Sequence, residues 1–133
     1  MIIKKPNNLS NLSNNKLSNF IYENIKDMQN PQILEFGVRA GHSTNFFLNL
    51  CKKNNGKCFS VDMNDYSNLF NDDNWKFIHS KDDDFSFIKN QIPSKFDIIF
   101  LDTLHEANHV EKIIYNYYDM LKSGGYFIVD DIS

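Results

Sequence analysis

One stretch limits what this chain can become: Ile33-Leu34-Glu35-Phe36-Gly37-Val38-Arg39-Ala40-Gly41-His42-Ser43-Thr44. A short apolar run ends in an acid, two glycines follow four positions apart, and a Ser-Thr pair opens a helix-like segment. The pattern predicts a strand, a tight glycine loop and a helix N-terminus. Glycine lacks Cβ and tolerates positive φ, so backbone in such a loop comes close to a ligand. The first N–H groups of the next helix have no intrahelical partner and bind polar ligand groups. The spacing is not the Gly-x-Gly-x-x-Gly of dinucleotide folds. An acid at the strand end, Glu35, also suits a cationic or amine-bearing ligand better than a pyrophosphate. An ordinary strand-to-helix turn has the same outline, so the rest of the chain must decide.

Strand and helix signals alternate from there on. Residues 33–37 read as a first strand and 43–54 as a helix stopped by Asn55-Gly56. A second strand is expected at 57–62, a short helix or loop at 66–70, and a third strand at 75–79. Pro93 halts a helix over 85–92. Residues 96–101, Phe-Asp-Ile-Ile-Phe-Leu, read as a fourth strand buried on both faces, because the apolar run is nearly continuous. A long helix over 106–121, a turn at Ser123-Gly124-Gly125 and a fifth strand at 126–130 follow. Ahead of the series, Leu17, Phe20, Ile21, Ile25 and Met28 fall near helical spacing, giving an amphipathic helix over 16–29 that Asn30-Pro31 ends. Residues 7–15 are low in complexity. Residues 1–15 are therefore expected to be a loosely packed lead-in, and 16–133 one domain.

A length of 133 residues suits one domain with a real core, and 12 Phe and 6 Tyr make that core aromatic-rich. No apolar run approaches the roughly 18–20 residues of a membrane span. No apolar segment follows the charged N-terminus, as a secretory signal requires. Cys51 and Cys58 lack metal-ligand spacing and read as reduced thiols of a cytoplasmic protein. A net charge of −3 offers no basic footprint for nucleic acid.

Alternating strands and helices imply right-handed βαβ units and an α/β fold, a parallel sheet with helices on both faces. Ligands bind such sheets at the carboxyl ends of the strands. Those ends carry Glu35, Asp62, His79-Ser80, Asp102 and Asp130-Asp131, so an acid stands at or just after four of five. Acids are poor strand residues and repel one another. Gathering them at one edge is costly unless something cationic or hydroxyl-rich binds there.

With all five ends in view, the motifs resemble those of the class I S-adenosylmethionine-dependent methyltransferases. The glycine loop 33–44 is similar to their cofactor loop, and Phe59-Ser60-Val61-Asp62 to the second strand, whose terminal acid holds the ribose hydroxyls. Residues 96–105 resemble the fourth-strand motif Asp-x-x-His-x-Tyr of one subfamily, and 121–131 its fifth strand. That subfamily includes the macrocin-type sugar O-methyltransferases and cephalosporin-hydroxylase-like proteins. The resemblance spans about Ile33 to Asp131. It implies a Rossmann-like three-layer sandwich with five parallel strands in the order 3-2-1-4-5. It further implies methyl transfer from S-adenosylmethionine to a small-molecule or sugar hydroxyl. Gly37, Gly41 and Ser43 would lie against the methionine moiety, with Glu35 near its ammonium and Asp62 on the ribose. Met63 would pack on adenine, unless it is plain core. Ser80 and Asp82 would meet the adenine amino group, unless Lys81-Asp82-Asp83-Asp84 is a solvated N-cap cluster for the next helix. Asp102 would line the cofactor site as well.

Several O-methyltransferases of this fold bind Mg²⁺ with three carboxylates at these strand ends, which implies Asp102, Asp130 and Asp131 here. A hard cation takes oxygen ligands, and coordination lowers the pKa of a bound hydroxyl. His105 would then take the proton. Alternatively, Asp130-Asp131 merely caps the fifth strand. The resemblance has two departures. No tyrosine follows His105, since Ala107 and Asn108 stand after Glu106, and the usual final helix and strands 6 and 7 have no counterpart by Ser133. The fifth strand is then expected at an exposed edge, open to self-association. Other readings remain: a cofactor-binding module without catalysis, a nicotinamide-binding Rossmann protein, or a zinc hydrolase. The last rests on His105-Glu106-Ala107-Asn108-His109, a His-Glu-x-x-His match; in the methyltransferase reading His109 is a partly exposed helix residue.

Overall fold

A computed structural model of the protein describes the backbone of residues 1–5, 8–10, 23–103 and 106–131, with side chains for all of these except 8–10, 103 and 131. Most of the expected helix over 16–29 falls outside these residues; Glu23–Ile25 are helical. The strands are β1 (Ile2–Lys4), β2 (Asn8–Ser10), β3 (Gln32–Phe36), β4 (Lys57–Asp62), β5 (Trp75–His79), β6 (Phe96–Thr103) and β7 (Leu121–Asp131). The helices are α1 (His42–Asn54), α2 (Phe85–Lys89) and α3 (Ala107–Tyr117), the last running into a 3₁₀ turn at Tyr118–Met120.

The strands form one sheet in the order β2-β1-β7-β6-β3-β4-β5. The five strands from β3 onward pair in parallel, while β1 and β2 are antiparallel. This is a Rossmann-like α/β sheet with an antiparallel edge. Side-chain alternation sorts its core into two layers. Leu34, Phe36, Val61 and Leu101 face the layer that holds Ile88 of α2 and Ile113 and Tyr117 of α3. Ile33, Cys58, Ile98 and Phe100 face the other, with Phe47 and Cys51 of α1. Each central strand is therefore apolar on both faces, as covered parallel strands must be. Both cysteines are free and buried, and burial pushes the Cys51 thiol up to about 12. Among the described residues no helix is long and apolar enough to cross a membrane.

Two expectations need correction. β7 is not an edge strand: β1 pairs along it, Ile2 opposite Ile128 and Lys4 opposite Tyr126. The Met1 amino group donates to the Val129 carbonyl at 2.8 Å, and the Lys5 ammonium to the Leu121 carbonyl at 2.8 Å. Residues placed in a loose lead-in thus cover the edge expected to be open. The second correction lies within β7, where Ser123-Gly124-Gly125 continue the strand instead of turning before it. Gly124 takes φ +84°, and a Cβ on Gly125 would stand 2.8 Å from the Asp97 carbonyl oxygen. The glycines let the strand pass close to β6 with a local irregularity.

Candidate active site at the strand ends

Beyond the ends of β3, β4, β5 and β6 lies a cavity of about 370 Å³. The loop after β3 shapes one wall. Gly37 and Gly41 take φ +98° and +86°, and Arg39, a non-glycine, takes +50°. A Cβ on Gly37 would stand 2.5 Å from the Asp102 backbone oxygen, so only glycine permits this approach of β3 to β6. Gly41 is a glycine for another reason: a Cβ there would meet the Leu69 side chain at 2.7 Å. It packs the 66–70 segment and does not line the cavity.

Asp62, at the end of β4, fixes this loop. Its Oδ2 accepts from the Val38 N–H at 2.8 Å and its Oδ1 from the Asn64 N–H at 2.9 Å. Each oxygen keeps a further lone pair for a ligand hydroxyl. Met63 beside it is 62% exposed, so the core alternative falls. The carbonyl of Met63 meets His79 Nε2 at 2.9 Å, tying the β4 and β5 ends together.

Asp102, at the end of β6, is half-buried on the cavity wall. Its Oδ1 is buried and finds no hydrogen-bond partner among the described residues. Desolvation raises its carboxyl above the usual range; Arg39 opposes this, while Asp130 and Asp62 add to it. An orphaned carboxylate oxygen on a cavity wall awaits a donor from a ligand. Asp130 is its register partner on β7. The Asp131 side chain and all of His105 lie outside the described residues, so two of the three expected carboxylates are described.

Glu35 departs from expectation. It is fully buried and faces α1, away from the cavity. Its Oε2 accepts from the Ser43 hydroxyl at 2.9 Å, and its Oε1 from Ser60 at 2.9 Å and from Thr44. The Trp75 indole N–H donates in turn to the Ser60 oxygen at 2.9 Å. With its oxygens so engaged, the carboxyl staples α1 to β3 and β4 beneath the loop, and Ser43 belongs to that staple. Burial pushes Glu35 up to about 7, against the three hydroxyls and with a small push from Asp102.

The structure thus brings Gly37, Asp62, Met63, Ser80, Asp82 and Asp102 to one cavity. Glu35, Gly41 and Ser43 lie behind it. The acidic run is no helix cap: Asp84 precedes α2 without a side-chain cap bond. Asp82 instead contacts His109 of α3, Nε2 to Oδ1 at 2.8 Å, and Asp83 faces Lys112 at 3.7 Å. Sequence reasoning missed Arg39, Tyr66 and His109 on the cavity wall. Only the His-Glu-x-x-His match had marked His109.

A doubly covered parallel sheet with a glycine-loop cavity at its strand ends defines a Rossmann-like ligand-binding domain. A family model described as a methyltransferase domain matches residues 34–132, and the chain belongs to that family. No curated protein matches the sequence. Solved structures share the fold. One, described as a caffeoyl-CoA O-methyltransferase from Staphylococcus aureus, has a TM-score of 0.65 at 17% identity, covering 92% of this chain and 58% of that one. Another, described as an rRNA methylase from Clostridium thermocellum, has a TM-score of 0.67 at 15% identity, covering 88% and 68%. A SAM-dependent methyltransferase from Aquifex aeolicus has a TM-score of 0.61 at 18% identity, covering 90% and 68%. The chain therefore spans little more than half the length of the first of these.

Proposed function

We propose that this domain binds S-adenosylmethionine in the strand-end cavity and transfers its methyl group to a small-molecule or sugar hydroxyl. The observation that carries the reading is the meeting of Gly37, Asp62 and Asp102 around one cavity. Gly37 brings bare backbone to the wall, Asp62 offers two fixed oxygens to a vicinal diol, and the orphaned Oδ1 of Asp102 calls for a donor. A diol-bearing cofactor with an ammonium group fits that donor demand. When bound, S-adenosylmethionine supplies an electrophilic methyl group on a sulfonium. Met63 and Tyr66 give an apolar surface for a flat ring, and Ser80 and Asp82 polar groups at its edge. Asp102 accepts a hydrogen bond from cofactor or acceptor. His105 is assigned the acceptor's proton on the subfamily resemblance, and Asp102, Asp130 and Asp131 a Mg²⁺ ion on the same ground. Family membership selects methyl transfer over the nicotinamide and zinc-hydrolase alternatives.

Calorimetry with S-adenosylhomocysteine tests the binding half, and release of S-adenosylhomocysteine across a panel of hydroxyl acceptors tests the transfer half. Saturable binding that NAD does not displace is expected. Binding of NAD in place of S-adenosylhomocysteine overturns the reading. Cofactor binding with no turnover across the panel leaves a binding module and overturns the transfer half.

A further inference from the structure

A second set of chemical groups converges at the rim of the cavity, apart from the strand-end acids on β6 and β7. Asp82 and Asp83 lie in the loop between β5 and α2, and His109 in the first turn of α3. One carboxylate oxygen from each Asp and one ring nitrogen of His109 lie within 4.8 Å of one another, all from half-buried residues. The His109–Asp82 contact is 2.8 Å. The Tyr117 hydroxyl donates to the Asp82 carbonyl at 3.4 Å and holds the loop against α3.

A plain ion pair needs one carboxylate for the imidazole. Here a second carboxylate stands within reach of both groups, and Asp84 follows it in the chain. The facing cation, Lys112, is half-exposed and sits 3.7 Å from Asp83.

Ligand chemistry separates the candidate ions. Mg²⁺ wants oxygen ligands in near-octahedral order and dehydrates reluctantly. Imidazole suits zinc and its first-row neighbours, which also accept carboxylate oxygen. Two carboxylates and one imidazole leave a position open to water, and the cavity adjoins it. We infer that Asp82, Asp83 and His109 bind a first-row divalent transition-metal ion. The ion replaces the His109–Asp82 hydrogen bond with two metal–ligand bonds and lets Lys112 swing to solvent. The site uses the second histidine of the His-Glu-x-x-His match, with carboxylates from the loop between β5 and α2 as its partners. Asp82 is shared with the proposed cofactor site, but occupancy can be measured without cofactor or acceptor, so the two readings fail separately.

The test is Co²⁺ and Zn²⁺ binding to tag-free full-length protein, by equilibrium dialysis with metal analysis and by Co²⁺ visible absorption. About one equivalent is expected. His109→Ala and Asp83→Asn should each weaken it at least ~10-fold, the scale on which losing one ligand-shell group acts. Thermal unfolding of the metal-free variants checks that they fold. Asp97→Asn, at the opposite end of β6 where it pairs with Lys122, should bind as the parent does. Absence of binding, or binding that His109→Ala leaves unchanged, overturns the inference. Binding lost in Asp130→Asn and kept in His109→Ala also overturns it, since the ion then sits at the β6–β7 ends.

Discussion

Glu35 and Asp102 end neighbouring parallel strands, yet the two faces of the sheet put them to opposite use. Glu35 is sealed under α1, and three hydroxyls engage its oxygens. Asp102 stands on the cavity wall with one oxygen that finds no partner among the described residues. Both carboxyls are raised chiefly by desolvation. A raised pKa alone therefore does not separate a structural acid from a ligand-facing one; the partners do. The closed side holds the loop in shape, and the open side presents that shape to a ligand.

Substitution at the shared hinge should have the largest effect. Gly37→Val places a branched side chain at positive φ against the Asp102 carbonyl. It is expected to cost roughly 2–5 kcal/mol of stability by thermal unfolding and to abolish S-adenosylhomocysteine binding. Normal binding by this variant would show that the close approach does not build the cavity. Next comes the closed side. The Glu35 carboxyl is raised from 4.5 to about 7 in the folded state. A raised carboxyl contributes stability below its unfolded pKa and loses it as pH rises through the folded value. Stability should thus fall between about pH 4.5 and 7, with a ceiling of roughly 3 kcal/mol. Glu35→Gln should flatten that decline in denaturant titrations at several pH values; an unchanged slope would mean the carboxyl is not buried as described.

The open side should respond in binding before stability. Asp62→Ala removes both the diol acceptor and the Val38 anchor, and S-adenosylhomocysteine affinity should fall by ~1.5–3 kcal/mol in calorimetry. Asp102→Asn should have the smallest structural effect, less than ~1 kcal/mol in unfolding, since it relieves repulsion from Asp130 and Asp62. Its methyl-transfer rate should drop all the same. A large loss of stability would place Asp102 with Glu35 as a structural acid and dissolve the contrast.

The βα series was legible because short apolar runs bounded by turn residues repeat along the chain. Strands 57–62 and 75–79 fall where expected, and the helix after the glycine loop starts at His42 and ends at Asn54, with Asn55 in the left-handed conformation. What stayed hidden depends on distant partners. Ile2-Ile3-Lys4 is too short for a period to declare itself, and its partner in the parallel part of the sheet, β7, lies across the whole domain. The role of Glu35 turns on Ser60, which comes from the next strand. Ser43 and Thr44 carried the available signal, two hydroxyls in the first turn of the helix facing the acid. Asp82 and His109 meet across 27 positions that no local pattern links.

The pairing of β1 with β7 also orders events during synthesis. The Met1 amino group and the Val129 carbonyl are 128 positions apart. Among the strands of the sheet β1 is made first and β7 last. Until then Ile2 and Ile3 have only β2 to pair with, and the β1 edge that meets β7 stays open in the nascent chain. The pairing of β1 with β7 must therefore wait for nearly all of these residues, a late long-range step of the kind that slows folding and invites capture by chaperones.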